Sequence, residues 1–196
     1  VYRGLGDYAA AVTHYTRALE LATSERWPEA EAAARGNLAG VHWELGALDE
    51  AVAELDRAIE LNSRMGWEAG LSANLHNIGT LLRELGKPQE AIRRLAQALS
   101  LIERNGNRDG AAHVYTTLGE VYLDLGRLTD ARESLSQCVS LHRRNGARFA
   151  DAPALRSLTA LRAVTGDLSH PAVYSVVMLD PDHVPRHRRS SVSTLV

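Results

Sequence analysis

One cysteine, Cys138, one phenylalanine, Phe149, and one lysine, Lys87, stand in a chain of 196 residues. A single cysteine excludes an intrachain disulfide and fits a reducing compartment, so the expected setting is cytoplasmic. Aromatic residues make up only 5% of the chain, and its body has few β-branched runs, which leaves little to build a sheet. No apolar stretch is long enough to span a bilayer, and no signal-peptide pattern opens the chain. Neither charge dominates: the formal balance of −2 gives no overall attraction to nucleic acid or to an anionic membrane. There is no glycine-rich phosphate loop, paired-acid motif or nucleophile elbow. The expectation is therefore a chain without enzyme chemistry and without a cofactor. The lone lysine among many arginines points to a GC-rich, bacterial genome. What is plentiful is alanine and leucine, which lose least on helix formation.

Those residues recur with a period of 40. Gly6, Gly46, Gly86, Gly126 and Gly166 keep that spacing, and Leu5, Leu45, Leu85 and Leu125 precede the first four. Ala11, Ala51, Ala91 and Ala131 form a further column, as do Tyr15, Leu55, Leu95 and Leu135. Ala18, Ala58, Ala98 and Cys138 follow, then Leu21, Leu61, Leu101 and Leu141. A second glycine set, Gly66, Gly106 and Gly146, holds the same register. Internal self-similarity at this period is the mark of a solenoid of stacked units.

Each unit reads as two helices. In Leu38-x-x-Val41-His42-x-x-Leu45 the apolar residues fall three and four apart, along one helix face. Gly46 then stands where a helix ends, because glycine takes the left-handed C′ conformation without steric cost. Ala51, Leu55, Ala58 and Ile59 form the inner face of the next helix, which Gly66 closes. The small residues admit close approach, and the leucines fill the gaps. The pattern predicts helices near 7–24, 29–45, 48–64, 68–85, 88–104, 109–125, 128–144 and 149–165. Pro28 and Pro88 suit the first turn of their helices, where a missing N–H costs nothing.

Asn77-Ile78-Gly79-x-x-Leu82 and Thr117-Leu118-Gly119-x-x-Tyr122 resemble the first-helix signature of the tetratricopeptide repeat family. Ala91-x-x-x-Leu95-x-x-Ala98 resembles its second-helix signature. The resemblance covers residues 1–166 and implies an all-α, right-handed solenoid of antiparallel helix pairs. It starts with a partial repeat, 1–24, followed by units starting near 29, 68, 109 and 149. The family's usual repeat is 34 residues long, and its closing proline is replaced here by Ser63, Glu103 and Arg143. The longer unit is more similar to those of Pins-type scaffolds, kinesin light chains and bacterial peptide-sensing or transcription-regulating proteins. Ala39 and Thr159 replace the signature glycine, which predicts looser packing in those two units.

The ends depart from the pattern. Val1 to Gly6 aligns with the last turn of a first helix, so Tyr8, Ala11 and Tyr15 on the next helix are expected to face water. The chain is accordingly expected to be a fragment of a longer protein. Pro171 replaces a packing alanine after Gly166, and residues 167–179 read as a cap, either a short helix or an extended segment. Residues 180–196, with Pro181, Pro185, Arg186, Arg188 and Arg189, read as a flexible basic tail.

In the family the first helices line a concave groove, and the resemblance carries that role onto this chain. It marks Asn37, Trp43, His76, Asn77, Thr80, Arg83, His113, Thr117, Glu120, Arg156 and Ser157 as positions for a protein or extended peptide. Asn37, Asn77, Thr117 and Ser157 form one column, expected to point off the packed face. An asparagine amide donates and accepts, so it can pair with a peptide backbone of any sequence; the plain alternative is a solvated helix surface. Trp43 offers a large apolar contact, or else packs between neighbouring helices. Arg83 and Arg156 have forks that suit carboxylates, but Glu44, Glu84, Glu120 and Asp124 lie beside them. His76 and His113 lack a third metal ligand, and Cys138 sits in a packing column as a structural thiol. The function expected is a protein-binding scaffold, the regulatory arm of a larger, transcription-regulating protein. The alternative is a self-assembly element that dimerises through its open solenoid ends, the N-terminal helix being one such surface, with nucleic acid an unfavoured partner.

Overall fold

The structure is a computed structural model that describes residues 8–144, 154–158 and 161. Seven α-helices are bounded within the described residues: α1 Tyr8–Ser24, α2 Pro28–Glu44, α3 Leu48–Met65, α4 Glu68–Glu84, α5 Pro88–Arg104, α6 Arg108–Asp124 and α7 Leu128–Arg144. Residues 154–158 and 161 are also helical. The bounds follow the expected ones closely because the stop signals are local. After α2, Gly46 takes φ 75°, its N–H donates to the Trp43 carbonyl, and the Ala47 N–H donates to that of His42. This two-bond closure satisfies carbonyls left over at a helix end. It recurs after α1, where the left-handed residue is Arg26, at φ 53°. That use of arginine was not foreseen.

The repeating columns build the core. Ala51, Ala91 and Ala131 are fully buried, and so are Leu95 and Leu135 opposite them. Each first helix packs on its own second helix and then on the next unit, giving the pairs α2–α3, α4–α5 and α6–α7. Successive first helices, α2 with α4 and α4 with α6, also touch. Contact along that row places α2, α4 and α6 on the inner side of the solenoid, with α3, α5 and α7 outside. Gly79 and Gly119 let a first helix close on its own second helix: a Cβ on either would fall 2.6 Å from Cγ of Leu95 or Leu135 respectively.

Two expectations are corrected. Ala39, which replaces the equivalent glycine, is buried in the same core cluster as Leu55 and Leu75, so its unit shows no looseness there. On α1, Ala11 is buried and Tyr8 and Tyr15 are half-buried, because α1 packs on α2. Thr159, the cap at 167–179 and the tail at 180–196 lie outside the described residues.

Candidate functional site

Asn37 on α2 and Asn77 on α4 are exposed at equivalent places on the inner row. No hydrogen bond ties either amide to another described residue. Thr117, the next member of the column, is a correction: it is 7% exposed. Its hydroxyl lies 3.0 Å from His76 Nε2 and donates to the His113 carbonyl at 3.3 Å. A short β-branched side chain folds back onto its own helix, where an asparagine reaches outward. Thr80 folds back likewise, onto the His76 carbonyl. Ser157 is half-buried and Arg156 exposed.

The other marked residues chiefly join one repeat to the next. Trp43 is half-buried against the core, and its indole N–H donates to Glu84 at 2.6 Å. The Arg83 guanidinium donates to Glu120 at 2.5 Å and to Asp124 at 2.5 and 3.4 Å. The Asp124 hydrogen bond is the main cause that raises its pKa, with Glu120 adding charge attraction against the cost of burial. Its fork is therefore already occupied by acids of the next unit. Burial first, and the neighbouring His113 second, push the His76 imidazole down to about 4. His113 is exposed and meets the buried His142 edge to face at 6.3 Å. No group of His, Cys, Asp and Glu among the described residues is arranged to hold a metal ion. Cys138 is buried against Thr116, 3.1 Å away.

Between the first helices the inner face dips into recesses. The recess between α2 and α4 measures about 280 Å³ and is lined by Asn37, Asn62, Asn74 and Asn77 together with Trp67 and Gly70. Its counterpart one unit on, about 270 Å³, has Ile102 where the first has Asn62, and His76 and His113 on its walls. Asn62, Trp67, Gly70 and Asn74 were missed by the sequence reading. A signal for Asn62 existed: in the column Ala22, Asn62, Ile102 and His142 it is a polar residue at a core position.

A family model described as tetratricopeptide repeat matches residues 1–64 and 71–144. The chain belongs to the tetratricopeptide repeat family. No curated protein matches it in sequence. Among solved structures it is similar to BtubC (BKLC) from P. vanneervenii, with TM-score 0.81 and 20% identity over 100% of this chain and 82% of that one. It is also similar to a putative kinesin light chain of nearly identical TPR-like repeats from Podosopora anserina, with TM-score 0.72 and 17% identity, covering 90% of this chain and 86% of that one. A third is aspartyl phosphate phosphatase F from Bacillus subtilis, with TM-score 0.75 and 16% identity, covering 90% of this chain but 44% of that one. At these identities the likenesses establish the fold alone, a helical solenoid, while membership of the repeat family supports a protein-interaction scaffold. No described helix is long and apolar enough to cross a membrane.

Proposed function

We propose that the inner face of α2, α4 and α6 holds an extended segment of a partner protein, and that the chain acts as the regulatory arm of a larger cytoplasmic protein. The observation that carries this is the pair Asn37 and Asn77, exposed one repeat apart on adjacent helices and tied to no other described residue. Each amide can take one peptide unit by its N–H and C=O at once, and the repeat steps the contacts along a strand. The forty-residue unit, which resembles those of bacterial regulators, supports a transcription-regulating parent. The family's scaffold role favours binding over catalysis.

Peptides selected on this chain from a random-peptide phage library test the groove. Asn77→Ala should weaken a selected peptide roughly 2- to 10-fold, the worth of one hydrogen bond, with helicity and Tm unchanged. Equal affinity for the variant and the parent contradicts the reading.

A second reading is favoured by α1. Ala18 and Leu21 are exposed, Leu21 by 61%, although Ala58, Ala98 and Cys138 in the same column as Ala18 are buried. That face suits a second copy of the chain. Light scattering showing a monomer at high concentration removes it.

A further inference from the structure

Asn62 stands at a core position that Ala22 and Ile102 fill with hydrocarbon and that His142 fills with another buried polar side chain. Its counterpart one unit on, Ile102, is 5% exposed within the main core, which shows that a branched hydrocarbon serves the packing. Asn62 is 1% exposed, and neither Nδ2 nor Oδ1 meets a hydrogen-bond partner in the protein. A buried amide with both ends unpaired destabilises the fold, so packing gives no reason for an asparagine here.

Its surroundings do. Asn62 lies in the floor of the recess between α2 and α4, and Asn37, Asn74 and Asn77 stand around it. The recess opens on the same face as the exposed Asn37 and Asn77. At about 280 Å³ it is far larger than the share of liquid volume of one water, about 30 Å³, and has room for a side chain. No charged residue lines it. A Cβ on Gly70 would fall 2.6 Å from Trp67 Cε3 and 2.9 Å from Asn62 Nδ2. The bare glycine therefore lets the indole and the amide share one corner. The Asn62 amide atoms are shut off from solvent, and the indole beside them is 44% exposed. For a ligand to reach the amide that ring has to turn outward, a rotamer change that exposed side chains make quickly.

We propose that this recess is a specificity pocket for a neutral carboxamide, the side chain of glutamine or asparagine, carried by the extended segment in the groove. The pocket rests on the groove reading above. A carboxamide offers an N–H to Oδ1 of Asn62 and a carbonyl to Nδ2, a reciprocal pairing that satisfies both unpaired atoms. A charged group would enter a lining with no counter-ion. An aliphatic group would leave the asparagine unpaired. The next recess, with Ile102 in that place, has no such preference.

The test selects peptides from a random-peptide phage library on the full chain and on the variants Asn62→Ile and Asn37→Ala/Asn77→Ala. The parent should enrich peptides with glutamine or asparagine at one fixed position. Asn62→Ile should still select peptides, with that preference lost or replaced by an aliphatic residue, and should melt no lower than the parent. The double variant should select nothing while keeping its helicity. Parent peptides with no carboxamide preference overturn the pocket and leave the groove standing. An unchanged preference in Asn62→Ile also overturns it, since the outer asparagines then supply the choice. If no peptide is enriched on any form, the groove reading fails and the pocket with it.

Discussion

Arg26 holds φ 53° in the turn after α1, where Gly66 and Gly106 stand in the equivalent turns. A side chain in that conformation costs roughly 1–2 kcal/mol, against which glycine loses some unfolded-state entropy. Arg26→Gly should therefore raise stability by about 1 kcal/mol, read as a higher denaturant midpoint at constant slope. Asn62→Ile should also stabilise, by about 1–3 kcal/mol, because it removes two unpaired buried polar atoms. His76 acts in the opposite sense. With its folded pKa pushed to about 4, the unfolded chain binds a proton first as pH falls below its ordinary value of about 6.5. Stability should then decline between about pH 6.5 and 4. His76→Gln should flatten that slope in urea melts taken across the window, and an unchanged slope would contradict the assignment. Residues of this kind were the least legible in the sequence. Thr117 shared a column with Asn77, and only its short side chain turned it inward. Asn62 sat on a second helix, a row in which groove residues were not sought.

Helices were legible because their signals are local. Gly46, Gly86 and Gly126 end first helices, and Pro28 and Pro88 open their helices, as the pattern predicted. What the pattern left open was how far one element satisfies its neighbour. Trp43 and Arg83 read as contacts for a partner, and both turned out to be held by acids one unit on. Opposite-sign pairs along adjacent helices follow from the forty-residue register, but periodicity does not rank them against binding. The helix pair α4–α5 depends on one close contact. Leu95 is fully buried beneath Gly79, so Leu95→Ala should cost roughly 2–5 kcal/mol by leaving a cavity. Gly79→Ala should cost about 1–3 kcal/mol by overpacking the same spot. Thermal melts of the two variants check both values, and a neutral Gly79→Ala would show that α4 and α5 can part freely.

The whole molecule was the most legible scale, since a fixed period over successive units leaves few architectures. Among the described helices the main contacts run within a unit and between neighbouring units, so stability is distributed as in a linear array. Leu95→Ala should loosen α4 to α7 most in hydrogen exchange, with the effect fading toward α1. The face that binds is set at the same scale, because stacking brings Asn37 and Asn77 onto one row that neither helix forms alone. The most direct measurement is an NMR titration of the full chain with a library-selected peptide, following the asparagine side-chain amides. The account predicts that the Asn37 and Asn77 amides shift first and furthest, with backbone changes centred on α2, α4 and α6 and, on α3, limited to the recess floor around Asn62. Shifts confined to α3, α5 and α7 or to α1, with Asn37 and Asn77 unmoved, would contradict it.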